Sequence, residues 1–418
     1  MSQGSLGVSE MTPPNIPCDR VEHFRDLDGL DQFWLSIDLW LAHRGVKIYD
    51  MRVPEPTPTN RCPVEAWCTP SVSTAAPLPF ARCLQMDQTP SRFFQTPPRL
   101  ACGQDSLGRD VMLKLVDTDS HQYRIFETLL RQLDSFSNSR NFPCVLPPLA
   151  IIDAPQNYAV VSMPLWGSPV YITDMRTVRQ VLRFMECLIR GLKFLHDNRI
   201  AHRDIWEHNI VVDCYRPDQS REHLREDLCR LRDSGDVLYA LMDYDQSIQH
   251  PANASLKEFR RPADEAMCGS TMYRPYDVCL GEPDYNPFAF DVAMLGNLFR
   301  AHFVEAVPAV PALAALYDGM TTHVLSQRFT AQEAWQFFDT QVVNLPLDVL
   351  ETTVQPSINW SARVDPDVYW STLSPELQAS WGHFRAPPCS IWSDLLNWFI
   401  GFPRCCQLIV FTRRVLGI

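Results

Sequence analysis

Apolar residues recur at helical spacing through Val178, Val181, Leu182, Met185, Leu188, Ile189, Leu192 and Leu195, which predicts a buried amphipathic helix. After it comes a polar stretch, then the β-branched run Ile210-Val211-Val212, which reads as a short strand. A second apolar strand is expected over Val237 to Met242, ending in Asp243-Tyr244-Asp245. Between the two strands, Tyr215 to Asp236 is dense in Arg, Asp and Glu and reads as a solvated insertion of helical character. Nearer the start, Asp31 to Leu41 predicts an amphipathic helix and Val46 to Tyr49 a strand. From Pro54 to Pro98 the chain is rich in Pro, Thr and Ser with only short apolar runs, the signature of an extended linker. No internal repeat is visible.

Composition narrows the class. With 418 residues and 46% hydrophobic content, the chain can build two cores. A net charge of −12 argues against nucleic acid or an anionic membrane surface as the main partner. Fourteen cysteines without a C-x-x-C pair suit reduced thiols, and so an expected cytoplasmic or nuclear location. Met1 to Asp19 is polar and shows no apolar signal core, so the sequon Asn253-Ala254-Ser255 is expected to stay unmodified.

The chemistry concentrates in His202-Arg203-Asp204-Ile205-Trp206-Glu207-His208-Asn209, which fits the H-R-D-L-x-x-x-N pattern with Ile at the fourth place. In that pattern an Asp meets an acceptor hydroxyl while an Asn five residues on holds a metal ion against phosphates. Strand, acid and polar loop at Asp243 then follow in the order that a second metal-binding carboxylate requires. Further matches lie at Val111-Met112-Leu113-Lys114, at Glu127 within the apolar-periodic Tyr123 to Leu130, and at Val160 to Leu165. Gly269-Ser270-Thr271-Met272-Tyr273-Arg274-Pro275-Tyr276-Asp277, Asp291-Val292-Ala293-Met294-Leu295-Gly296 and Arg328 complete the series.

Together these features resemble a eukaryotic protein kinase domain, divergent and of Ser/Thr type. The resemblance implies an α+β, bilobal fold with a small β-rich N-lobe and a larger helical C-lobe. It divides the chain into an N-terminal extension (1–53), a Pro-rich linker (54–98), a kinase-like domain (99–345, with the insertion 215–236) and a C-terminal extension (346–418). It implies Asp204 as the group that receives the acceptor proton, with Lys114, Glu127 and Arg203 as its catalytic companions. Glu127 is expected to salt-bridge Lys114. ATP would be contacted by Lys114, Ser162, Met163, Leu165 and Asn209, and Mg²⁺ held by Asn209, Asp243 and Asp245. His202 and Tyr244 are expected to pack together beneath the site, and Arg328 to pair with Asp277.

Four departures shape the functional expectation. No G-x-G-x-x-G precedes Lys114, and Gly108 is expected to serve a hairpin turn instead. Trp206 stands where Ser/Thr kinases place a Lys, so no charge there meets the γ-phosphate. Asp245 replaces the Gly of D-F-G, and either adds a metal ligand or perturbs the metal site. Pro275-Tyr276-Asp277 replaces A-P-E but keeps the carboxylate. The leading expectation is ATP-dependent phosphoryl transfer to protein Ser/Thr hydroxyls. The alternatives are a catalytically impaired pseudokinase acting as a binding module and a small-molecule kinase of the aminoglycoside/choline kinase-like type, which often carries a second acid after its metal Asp.

The aromatic-rich stretch Ile391 to Phe402 and the run Leu408 to Phe411 are interrupted by Asp394, Pro403 and Arg404, too soon for a spanning helix. Two expectations stand side by side: packing against the C-lobe, or a peripheral membrane contact helped by acylation of Cys405 and Cys406 and by Arg413-Arg414.

Overall fold

The computed structural model describes residues 27–49, 77–84, 99–138, 141–216, 221–251, 255–342 and 344–388, with Pro13, Val21 and scattered positions between 395 and 415. Most of the Pro-rich linker, the sequon residues Asn253 and Ala254, and Cys405, Cys406 and Arg414 lie outside the described residues. The chain divides into two compact units, one rich in sheet and one rich in helix, an α+β architecture. The first comprises 1–140, 147–166 and 214–224; the second comprises 141–146, 167–213 and 225–418.

The first unit is built on a five-stranded antiparallel sheet in the order Val46–Ile48, Leu100–Asp105, Asp110–Asp117, Tyr158–Pro164, Ala150–Asp153. Alternation along the third strand puts Val111, Leu113 and Leu115 on one face, as a two-residue period demands. Those three join Ala101, Tyr158 and Val160 in a core with Phe33, Trp34, Ile37, Trp40 and Leu41 from the helix Leu27–Ala42. The predicted N-terminal helix therefore packs on the sheet. Its following strand pairs Val46 with Asp105 and Ile48 with Gly103 and forms the sheet's edge. Residues 27–49 thus belong to the body of this unit. Gly108 makes the turn of the hairpin with φ +77°, a left-handed conformation that its missing Cβ permits.

In the second unit the predicted helix runs Val178–Asp197 and is capped by Thr177, whose side chain accepts from the Gln180 amide. The helix Pro287–His302 starts at the Asn286 cap with Pro at its first turn and is buried on nearly all sides. Two short antiparallel ladders join Ile210–Val212 to Tyr239–Leu241 and Ile200–Ala201 to Ile248–Gln249. The insertion is helical and mostly exposed, as read, but one stripe of it is buried. It contains the helix Arg221–Ser234, in which Leu228 and Arg232 are buried and Arg232 donates to Tyr239 Oη at 2.8 Å and to the Val170 carbonyl. Leu224, Leu228 and Arg232 recur every fourth residue, a stripe hidden by the charge around it.

Beyond 345 the chain continues through short helical turns at Trp360–Arg363 and Asp367–Trp370 and the helix Pro375–Trp381. Ile400 and Ile409 crowd Gly281, and Arg413 pairs with Glu282 at 2.5 Å, so these described C-terminal positions pack within the second unit. Leu408, Phe411 and Val415 remain exposed. Among the described residues no helix is long and apolar enough to cross a membrane.

Candidate functional site

The loop His202–Asn209 leaves the Val178–Asp197 helix through the Ile200–Ala201 ladder and is pinned by one carboxylate. Asp291, 0% exposed, accepts from the His202 amide at 2.7 Å and the Arg203 amide at 2.6 Å, and lies 3.1 Å from His196 Nε2. Arg203 adopts φ +68°, a conformation costly for a side chain with a Cβ, which these bonds hold in place. Its guanidinium donates to the Glu265 carbonyl at 3.0 Å and pairs with the Glu265 carboxylate at 3.3 Å. His202 and Tyr244 pack edge to face with ring centroids 6.0 Å apart, as expected, and His202 Nε2 lies 2.9 Å from the Met242 carbonyl.

Asp204 and Asn209 are brought together. The Asn209 amide donates to both the Asp204 carbonyl and Asp204 Oδ2 at 2.8 Å, which leaves the amide oxygen Oδ1 available as a hard donor. The other carboxylate oxygen, Oδ1, accepts from the Ser270 backbone amide at 2.5 Å. Gly269, at φ +76°, lies so close that a Cβ there would stand 2.8 Å from Asp204 Oδ1. The backbone of 269–270 therefore sits directly on the carboxylate, and both of its oxygens are engaged. Trp206 stacks on His208 with centroids 4.1 Å apart, and its indole N–H has no partner among the described residues. No charge occupies that place in the loop.

Asp243 follows the Tyr239–Leu241 strand at φ +68°, and the Asp245 amide approaches Asp243 Oδ1 at 3.3 Å. The adjoining Met242 amide donates to the Asn209 carbonyl at 2.9 Å, which ties this turn to the loop. Among the described residues no three His, Cys, Asp or Glu side chains gather into a metal cage. Mg²⁺ asks for only one or two carboxylates, completed by phosphate oxygens and water. The oxygens of Asn209, Asp243 and Asp245 fit it in kind.

In the sheet unit, Lys114 is 6% exposed and stands in register with Val161, at the centre of the sheet. Ser162, Met163 and Leu165 are buried. The Ser162 carbonyl accepts from the Leu149 amide and the Leu165 amide donates to the Asp110 carbonyl, so the sheet itself uses these groups. Glu127 lies on the helix His121–Leu130, 39% exposed, with Arg131 at 3.7 Å as its ion partner. Its pairing with Lys114 stays an expectation.

Two features escaped sequence reading. Glu207 accepts from the Tyr273 hydroxyl and lies 2.8 Å from His302 Nε2. Burial alone would raise the Glu207 pKa, but the bonds from His302 and Tyr273 outweigh it and hold the carboxyl below its ordinary value. The partners stand 66 and 95 positions away, so no local signal announces them. The second is the contact of Ser270 with Asp204. Next to this segment, the expected pair is present: Arg328, 1% exposed at its side chain, donates to Asp277 at 2.5 Å and to the Thr322 carbonyl at 2.7 Å.

No family model matches the chain. The serine/threonine-protein kinase PTK2/STK2 of Saccharomyces cerevisiae is 28% identical over 131 residues, covering 29% of this chain. The match spans only 13% of that curated relative. Among solved structures, a chain of the yeast RNA Pol II CTD kinase CTDK-1 complex is 15% identical with a TM-score of 0.38, covering 61% of this chain and 94% of that one. So loose a superposition transfers no feature. The ordered motifs, the pinned Asp204 loop and the similarity to a yeast kinase point the same way, towards a divergent protein kinase-like chain.

Proposed function

We propose that the chain is a phosphotransferase that moves the γ-phosphoryl group of ATP to Ser or Thr hydroxyls of a protein substrate. The observation that carries this reading is Asp204, clamped by Asn209 on a loop that Asp291 fixes at two successive amides. A carboxylate so oriented can align an acceptor hydroxyl and take its proton as the oxygen attacks. Asn209, Asp243 and Asp245 would hold Mg²⁺, which when bound offsets the charge on the phosphates. Lys114 would contact the phosphates, and Met163 and Leu165 the base. For an acceptor to reach Asp204, the 269–270 backbone must move off its Oδ1.

That same contact, with neutral Trp206, favours a second reading as a binding module with impaired catalysis. Single-turnover phosphate transfer from ATP to a generic protein substrate separates the two. Transfer by the native chain that Asp204→Asn abolishes, with ATP affinity kept, supports the enzyme. A Mg²⁺-dependent thermal shift by ATP that Lys114→Met removes, without any transfer, leaves the binding module. Exposed Leu408, Phe411 and Val415 also favour a peripheral membrane contact, which flotation with anionic vesicles tests.

A further inference from the structure

In the helical unit, a cavity of about 920 Å³ opens beside Arg274, Arg300 and Arg363. The three come from separate parts of the chain: the segment after Tyr273, the end of the Pro287–His302 helix, and the turn Trp360–Arg363. Arg363 donates to the Arg274 carbonyl at 3.2 Å and Arg300 donates to the Arg363 carbonyl, so these bonds link the three residues on one cavity wall. None of them forms a close ion pair with a carboxylate among the described residues; Arg300 interacts electrostatically with Asp318 and hydrogen-bonds the Tyr369 side chain. Arg300 is 8% exposed, and its Nε has no hydrogen-bond acceptor. Nε of Arg363 and both Nε and one terminal nitrogen of Arg274 are likewise buried without one.

Such an arrangement is costly. Burial and the neighbouring Arg300 pull the Arg363 pKa below its usual value. Asp318, a buried acid that interacts electrostatically with Arg300, has its oxygens engaged by Tyr369, Trp370 and the Ala386 amide. Of the other charges on the cavity wall, Arg385 is paired with Asp367, and Asp365 caps the Asp367 amide at 2.9 Å. Four of the clustered donors, Arg274 Nε and one of its terminal nitrogens, Arg300 Nε and Arg363 Nε, therefore lack acceptors.

We propose that this cavity is a binding site for a phosphate monoester, whose dianionic oxygens accept from Arg274, Arg300 and Arg363. Guanidinium forks match phosphate oxygens in pairs, and a dianion offsets the repulsion among the three. The cavity is far larger than a bare phosphate ion and has the size of sites that enclose drug-sized ligands. The phosphate is therefore read as one carried on a phosphorylated Ser or Thr side chain, with free phosphate as the other source of the same chemistry. The site is separate from Asp204 and its loop and does not depend on their activity.

The test is thermal melting and titration calorimetry of the full chain with inorganic phosphate, N-acetyl-phosphoserine amide and N-acetyl-serine amide, at ionic strength matched with NaCl. Both phosphorylated probes should bind and raise the melting temperature, and the unphosphorylated amide should do neither. Arg363→Gln and Arg274→Gln should each weaken binding about tenfold or more while remaining folded by circular dichroism, as loss of one charge-assisted pair predicts. Tighter binding of the phosphoserine probe supports the side-chain source; tighter binding of inorganic phosphate supports a free-phosphate site. The proposal is overturned if NaCl alone gives the same shift, if neither phosphorylated probe binds, or if both folded variants bind as the native chain does.

Discussion

Replacing Asp291 by Ala tests whether one carboxylate holds the catalytic loop. In the folded protein its oxygens accept from the His202 and Arg203 amides at 2.7 and 2.6 Å, and His196 lies at 3.1 Å. The site is fully buried, so water does not readily replace the lost acceptor. Hydrogen bonds to a charged group contribute about 1.5–3 kcal/mol each, and a buried donor left unmet costs about 1–3 kcal/mol. With two amides orphaned and Arg203 still required at φ +68°, the loss should be about 4 kcal/mol. Asp291→Asn keeps the shape and one acceptor oxygen and should cost about half of that. Urea denaturation gives the total, and hydrogen exchange at the His202 and Arg203 amides gives the local effect, which should be a marked loss of protection. A cost below about 1 kcal/mol for Asp291→Ala, or unchanged exchange at both amides, would refute the assignment.

Three further perturbations probe the same unit. Gly269→Ala places a Cβ against Asp204 Oδ1 and strains a backbone at φ +76°, so it should lower stability by about 1–2 kcal/mol in thermal melts; an unaltered melt would remove the 269–270 backbone from its place on Asp204. Arg328→Ala leaves Asp277 unpaired and the Thr322 carbonyl unmet, with an expected loss of about 3–5 kcal/mol, whereas Asp277→Asn, at the more exposed end of the pair, should cost less. Glu207 has a depressed folded pKa, so its bonds contribute stability above the unfolded carboxylate value of about 4.3 and lose it as pH falls through the lower folded value. Glu207→Gln should flatten the melting temperature profile below about pH 4; an identical acid limb in the two proteins would dismiss the Glu207 cluster as a pH-dependent element.

The parts of the site legible in sequence are those written in local repeats. A 3.6-residue period marks the Val178–Asp197 helix, a β-branched run and an apolar run mark the strands at Ile210 and Tyr239, and the five-residue step from Asp204 to Asn209 fixes which two side chains meet. The Leu27–Ala42 helix was visible for the same reason, and its apolar face required a surface to cover. Where charge was dense the same repeat became invisible: the Leu228 and Arg232 stripe lies within a run of acids and bases that reads as solvent-facing. Only tertiary structure decided that Glu207 meets Tyr273 and His302, that Ser270 caps Asp204, and that Arg274, Arg300 and Arg363 share one cavity. These partners meet through loop closures of tens of residues. Their cost changes only slowly with length, so spacing along the chain carries almost no information about which groups will face each other.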